Sequence, residues 1–266
     1  MRGDGEEIKM SYESFMLRAL QLAYSNLGKV SPNPSVGAVV VKDERIVAEG
    51  VTQNPGGNHA EVVALRKCGA EACGATLYVT LEPCSHTNKR TPPCVDAIVK
   101  AGIKKVVVGV RDENTAVEGV ELLRKAEIEV VEGVLADECS KMHEFFFHWI
   151  KTGKPFVTVK AALTLDGKMS WGNGKRKKIT GIEADRKTHE LRCVYDAVLV
   201  GVETVIKDDP QLTCRLVKGR DPIRVVVDSN LRMPADARML SEEGRTIVFY
   251  VSGSAFRQKE IRHNSG

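Results

Sequence analysis

Apolar residues first fall into a clear pattern at Met16, Ala19, Leu20 and Ala23, three or four positions apart, and Gly28 ends the run. That spacing predicts an amphipathic helix over 11–27. Two strand-like segments follow. Residues 36–41 and 45–49 read as strands flanking a two-residue Asp43-Glu44 turn, a hairpin by length although Asp-Gly would suit the turn better. Beyond it the pattern predicts helix 59–68, strand 75–80, helix 93–101, strand 104–110, helix 117–126, strand 127–131 and a helix from about 135 to 151. Alternation of this kind predicts an α/β fold in which helices cover a mixed sheet. Gly153 and Pro155 stop the last helix, and the pattern restarts with an expected strand at 156–161. A boundary near 150 therefore divides the chain into domains 1–150 and 151–266. The second half predicts a helix at 181–193 and strands at 197–201, 223–228 and 246–251, without repeating the first half.

Composition narrows the picture only slightly. A length of 266 residues suits two domains, each able to bury its own core. The net charge of +4, from 39 basic and 35 acidic residues, and the 5% aromatic content give no electrostatic or stacking footprint for nucleic acid, while an anionic small molecule remains compatible. No apolar run approaches the roughly 20 residues needed to cross a bilayer, and Met1 to Lys9 is polar, without a signal core. Seven cysteines, an odd number without a small-scaffold spacing, fit a reducing compartment in which thiols bind metal or fill cores. The expectation is a cytoplasmic homo-oligomer that acts on a small molecule and has neither a nucleic-acid nor a membrane partner.

Candidate chemistry concentrates in the first half. His59 and Glu61 stand one residue apart in His59-Ala60-Glu61-Val62-Val63-Ala64-Leu65, and on regular helical turns they would point in nearly opposite directions. They must sit at a helix entry, which the loop 54–58 supplies, with Asn58 placed to cap the first turn. Downstream, Cys84 follows Pro83 at the end of a strand, and Cys94 opens a helix after Pro92-Pro93. One His and two Cys make a three-ligand zinc site with an open fourth position, and open zinc sites are catalytic. Such a zinc lowers the pKa of a bound water from about 15.7 toward roughly 7. Glu61 is the candidate to carry the proton from that water to a leaving amine. A His-x-Glu with Pro-Cys and a second Cys is the signature of zinc deaminases, which act hydrolytically on an amidine-like carbon of a heterocycle. Cys68, Cys73, Cys139, Cys193 and Cys214 read as ordinary thiols.

Nine residues, 85–93, separate the two cysteines, where nucleoside and nucleic-acid deaminases have two. With Glu82-Pro83-Cys84-Ser85-His86, Arg90-Thr91-Pro92-Pro93-Cys94 and the upstream stretch from Ser31 to Gly37, the chain resembles the bifunctional deaminase/reductase family of riboflavin biosynthesis. The resemblance runs through both halves. It implies a cytidine-deaminase-like three-layer α/β/α domain followed by a dihydrofolate-reductase-like α/β domain. It implies one zinc per deaminase domain, held by His59, Cys84 and Cys94, with Glu61 moving protons, and NADPH as the second cofactor. The implied substrate is a diaminopyrimidinone carrying a ribose 5-phosphate. Asn33 would hold the base edge, and His86 and Arg90 would offer donors to the phosphate. In the second half, Ala162, Thr204, Asp208 and Ser229 would contact NADPH, while Arg192, Leu212 and Arg215 would contact the sugar phosphate. Arg176-Lys177-Lys178 stands where the family has Ser-x-Trp, and the chain stops before the family's glycine-rich segment, so the reductase portion is expected to be incomplete. The alternatives are a nucleoside or tRNA deaminase with an unrelated second domain, and a non-enzymatic zinc-stabilised module.

Overall fold

Nearly continuous apolar strands, covered on both faces, build the first half. In the computed structural model, which describes residues 11–86, 92–114, 116–169, 178–252 and 255–262, with backbone alone for 252 and 255–262, the chain forms two units, Met1–Val157 and Thr158–Gly266. The first is a five-stranded sheet of order β2-β1-β3-β4-β5, with β1 Gly37–Lys42, β2 Arg45–Val51, β3 Thr76–Leu81, β4 Lys105–Val110 and β5 Glu129–Glu132. Strand β1 runs antiparallel to β2 and β3, and β3, β4 and β5 run parallel. Successive side chains leave a strand on opposite faces. Ala38, Val40, Leu77, Val79, Val106 and Val108 therefore meet one apolar cluster, and Val39, Val41, Tyr78 and Val107 the other. Helices α2 (Ala60–Cys68), α3 (Cys94–Lys100) and α4 (Gly119–Lys125) cover the first face through Ala64, Leu65, Ile98 and Leu123. Helices α1 (Tyr12–Ser25) and α5 (Ala136–Met142) cover the other through Met16, Ala19, Leu20 and Met142. This is a three-layer α/β/α sandwich around a mixed sheet.

The predicted hairpin forms with both turn residues in the left-handed region, Asp43 at φ 48° and Glu44 at φ 61°. A two-residue turn between twisted strands demands that conformation, so the connection length outweighs the poor fit of Glu. Three expectations need correction. The single helix expected at 135–151 is two, α5 and α6 (Glu144–Thr152), broken at His143. His143 is 2% exposed with its Nε2 3.2 Å from Thr80 Oγ1, so the helix turns where its ring is anchored to β3. Burial pushes that ring down to about 4, leaving it neutral at pH 7. The strand expected at 156–161 does not form: alternation is present, but Val157 and Val159 are exposed and the segment pairs with no strand among the described residues. Asn58 does not cap α2; it donates to Gln53 Oε1 through both its amide groups, and His59 occupies the N-cap position.

The second unit carries helix α7 (Ile182–Val194), strand β6 (Ala197–Gly201), helix α8 (Val202–Asp208), and strands β7 (Ile223–Val227), β8 (Arg245–Ser252) and β9 (Ala255–Arg262). Its sheet has the order β6-β7-β8-β9, parallel except for the antiparallel β8–β9 pair. Helix α8 and strand β9 escape the sequence pattern. Helix α8 has only seven residues, and the segment 255–262 mixes Arg, Gln, Lys and Glu with only two large apolar residues. A small core of Val202, Val205, Leu212, Val226, Met239 and Val248 holds α8 on the sheet.

Candidate metal centre and active site

Three elements converge at one end of the first sheet. Helix α2 begins one residue after His59, whose carbonyl accepts from Val63 N–H at 3.0 Å, so the ring sits at the helix mouth while Ala60 and Ala64 face the core. Cys84 follows the buried strand β3, and Cys94 is the first residue of α3. His59 Nδ1 lies 3.2 Å from Cys94 Sγ and 3.4 Å from Cys84 Sγ, and the two sulfurs are 3.5 Å apart. Tetrahedral zinc with Zn–S near 2.3 Å and Zn–N near 2.0–2.1 Å needs edges of about 3.6–3.8 Å, so an opening of a few tenths of an ångström admits the ion. Among the described residues this triangle is the one His, Cys and carboxylate group whose ligand atoms lie within 4.8 Å of one another. The sulfurs are already unequal: hydrogen bonds from Cys94 and His59 hold the Cys84 thiol well below the ordinary thiol range, while the Cys94 thiol is raised. A thiolate is the state in which Cys binds metal.

Glu61 is 3% exposed on the first turn of α2, and its carboxyl makes a hydrogen bond with Cys94. Burial first, and the neighbouring Cys84 second, push it up to about 7. A carboxyl poised near neutrality can both take and return a proton. Asn33 lies at the same end of the sheet, because the loop before β1 meets the exit of β3 through the pairing of Ala38 with Val79. His86 is half-buried two residues after Cys84 and stands outside the ligand triangle; Arg90 lies outside the described residues. A depression of about 560 Å³ lined by Tyr12, Phe15, Val41, Thr76 and Tyr78 opens at the opposite end of the strands, away from this chemistry.

Sequence reading missed what holds the Cys84 turn. Glu82 is 5% exposed, and its two carboxylate oxygens accept the backbone N–H groups of Asp112 at 3.1 Å and Val120 at 2.9 Å. A carboxylate at the end of an apolar strand is the signal that could have found it. Gly119 packs so closely that a Cβ there would lie 1.9 Å from the Pro83 carbonyl oxygen. Gly119→Ala is expected to destabilise the protein by about 1–3 kcal/mol through overpacking. It should also weaken zinc binding, because the backbone that must yield leads directly into Cys84; melting curves with and without zinc, and a zinc titration, check both.

In the second unit Arg192, Leu212 and Arg215 come together around Thr213. Arg192 Nη1 donates to the Thr213 carbonyl at 3.1 Å, and Arg215 Nη1 to Thr213 Oγ1 at 2.8 Å. Leu212 is buried in the small core with φ 58°. Burial, then the charge of Arg215, lowers Arg192, and its buried Nε has no partner among the described residues. Thr204 and Asp208 lie on α8 directly after β6, and Ser229 follows β7, whose C-terminal end is shared with the parallel β6. Ala162 is half-buried in the stretch without strand structure.

A crystal structure from Thermotoga maritima, titled a diaminohydroxyphosphoribosylaminopyrimidine deaminase/5-amino-6-(5-phosphoribosylamino)uracil reductase, is 50% identical with a TM-score of 0.85, covering 92% of this chain and 71% of that one. The riboflavin biosynthesis protein RibD of Actinobacillus pleuropneumoniae is 44% identical over 252 residues, 93% of this chain and 67% of the relative. The chain belongs to the RibD family. RibD of Mycobacterium tuberculosis, 41% identical over 251 residues, is covered to 73% of its length. Residues 9–110 match the cytidine and deoxycytidylate deaminase zinc-binding region, and residues 155–262 match the RibD C-terminal domain. Fold and family thus agree with the expected pairing of a deaminase-like and a reductase-like domain. None of the described helices is long and apolar enough to cross a membrane.

Proposed function

We propose that this RibD-family chain deaminates 2,5-diamino-6-(5-phosphoribosylamino)pyrimidin-4-one in its domain 1–150 and reduces the product's ribosyl group with NADPH in its domain 151–266. The observation that carries the first step is the triangle of His59 Nδ1, Cys84 Sγ and Cys94 Sγ with the buried Glu61 carboxyl against it. His59, Cys84 and Cys94 would hold zinc. When bound, zinc supplies a Lewis acid that makes water acidic enough to lose a proton near neutral pH. Glu61 takes that proton on its carboxylate and returns it to the departing amine, so the C–NH2 group and water become C=O and ammonia. Asn33 would orient the base, and His86 and Arg90 would bind the phosphate. The aromatic-poor, weakly charged composition favours such a small molecule over nucleic acid.

For the second step, Arg192 and Arg215 supply the phosphate forks, beside Leu212, which is buried in the small core. Two like charges drawn together, with a buried Arg192 Nε that has no partner among the described residues, suit an anion that would relieve both. Ala162, Thr204, Asp208 and Ser229 would contact NADPH. The buried Asp228 Oδ1, without a partner among the described residues, is an acceptor beside Ser229 that a cofactor hydroxyl or amide fits. NADPH supplies hydride, and the chain supplies orientation and charge. The test measures ammonia release from the diaminopyrimidinone with zinc quantified on the same sample, then NADPH oxidation on the deaminated product. Zinc binding without ammonia release would overturn the substrate assignment. Arg192→Met is expected to raise KM for the deaminated substrate about tenfold to a hundredfold, the value of a charge-assisted hydrogen bond, and to leave ammonia release unchanged.

A further inference from the structure

We propose that Cys193 and Cys214 are a thiol pair that closes to an intramolecular disulfide under oxidising conditions, an oxidation site in the second unit that clamps α7 to the 213–215 segment. Their sulfurs lie 2.7 Å apart, nearer than two unbonded sulfurs settle and only about two-thirds of an ångström beyond the roughly 2.05 Å of a disulfide. Cys193 sits in the last turn of α7, and Cys214 lies in the connection from α8 to β7, so the bond would join segments 21 residues apart in the chain. Bonds other than the sulfur contact already hold these segments together. Arg192 Nη1 donates to the Thr213 carbonyl at 3.1 Å, and Arg215 N–H donates to His189 Nδ1 at 2.9 Å. Cys214 N–H donates to Asp221 Oδ1 at 2.6 Å, which fixes the backbone on which the second sulfur is carried. Gly219 gives Cys193 its room, because a Cβ there would lie 2.4 Å from the sulfur. Both thiols are half-buried, open to a small oxidant yet set against each other.

The chemistry needs a low-molecular-weight disulfide, and oxidised glutathione serves. The Cys193 thiol loses its proton and its sulfur attacks one glutathione sulfur, breaking the glutathione S–S bond and releasing one glutathione thiolate. The Cys214 thiol then loses its proton, its sulfur attacks Cys193, and the second glutathione leaves as thiolate. Two protein thiols are oxidised by two electrons in all, and one glutathione disulfide is reduced to two thiols. Burial, then its contact with Cys193, raises the Cys214 thiol, and its attack within the chain profits from the high local concentration of the neighbouring sulfur.

The experiment equilibrates the zinc-loaded full chain with mixtures of oxidised and reduced glutathione and then digests it without reduction. The expected result is a linked peptide pair containing Cys193 and Cys214, with a mass loss of two hydrogens and full recovery on reduction. Cys193→Ser and Cys214→Ser should each abolish the link while ammonia release and zinc content stay unchanged, and Gly219→Ala should lower its yield with both thiols present. Hydrogen exchange at the amides of Cys214 and Arg215 should slow in the oxidised form. Stable glutathione adducts at either cysteine without the link, or both thiols remaining free, would overturn the proposal. Unchanged exchange in the linked form would overturn the clamp.

Discussion

Glu61→Gln removes ammonia release, by about a hundredfold to ten-thousandfold in kcat, while zinc content and melting temperature hold. The magnitude is that of a lost general acid–base. The sign of the control follows from the geometry. Gln has the same shape as Glu, and position 61 is buried on the first turn of α2, so the buried position stays filled. The three atoms placed to hold zinc are those of His59, Cys84 and Cys94, and Glu61 is outside that triangle. A buried carboxyl pushed up to about 7 is also unfavourable to ionise, so its replacement by a neutral amide costs the fold little. A structural zinc module has no use for that carboxyl. If turnover survived the substitution, Glu61 would not be the proton carrier. If zinc and fold were lost together with turnover, the carboxyl would serve to build the site. Atomic absorption and thermal melting on the assayed sample separate these outcomes.

The zinc triangle was legible because each ligand stands beside a signal that local physics enforces. His59 and Glu61 can share a site only at a helix entry, Pro83 precedes one cysteine at a strand end, and Pro92-Pro93 precedes the other at a helix start. The strands of the first sheet were legible for the same kind of reason, since both faces are covered and the pattern of Val, Ala and Leu is nearly continuous. What escaped depends on contacts distant in sequence. Nothing near His143 announces that Thr80, sixty-three residues earlier, will hold its ring and break the helix. A carboxylate closing an apolar strand marks Glu82 itself, but its partners, the amides of Asp112 and Val120, lie thirty and thirty-eight residues on. The segment 156–161 shows the converse: strand-like alternation yields a strand only where another strand is available to pair with it. In the second unit, the cluster of Arg192 and Arg215 about Thr213 was reachable only through the family resemblance, because neither arginine stands in a spacing that distinguishes it from a solvated helix or loop charge.

Cys94→Ala is expected to release the metal, with zinc affinity falling more than a hundredfold and ammonia release falling to background. Loss of an outer-shell partner alone typically costs tenfold to a hundredfold in metal affinity, and Cys94 belongs to the ligand triangle itself. The substitution acts twice. It deletes one of three donors, leaving His59 and Cys84. It also removes the thiol whose hydrogen bond holds Cys84 low, so the remaining sulfur should move back toward the ordinary thiol range and be less of a thiolate at pH 7. Thiol titration of the metal-free proteins tests this second effect: Cys84 should react at lower pH in the wild type than in the variant. Stability follows by linkage, because an ion that binds only the folded chain stabilises it by about 2.7 kcal/mol at a hundred times its Kd. Zinc should therefore raise the melting temperature of the first unit in the wild type and leave the variant nearly unmoved. Every residue of the triangle lies in Met1–Val157, whereas Arg192, Thr204 and Ser229 lie in Thr158–Gly266. NADPH oxidation on supplied deaminated product should accordingly persist in Cys94→Ala at the wild-type rate. Joint loss of both activities would mean that the second unit depends on the zinc-loaded first, and the two steps would have to be treated as one coupled enzyme.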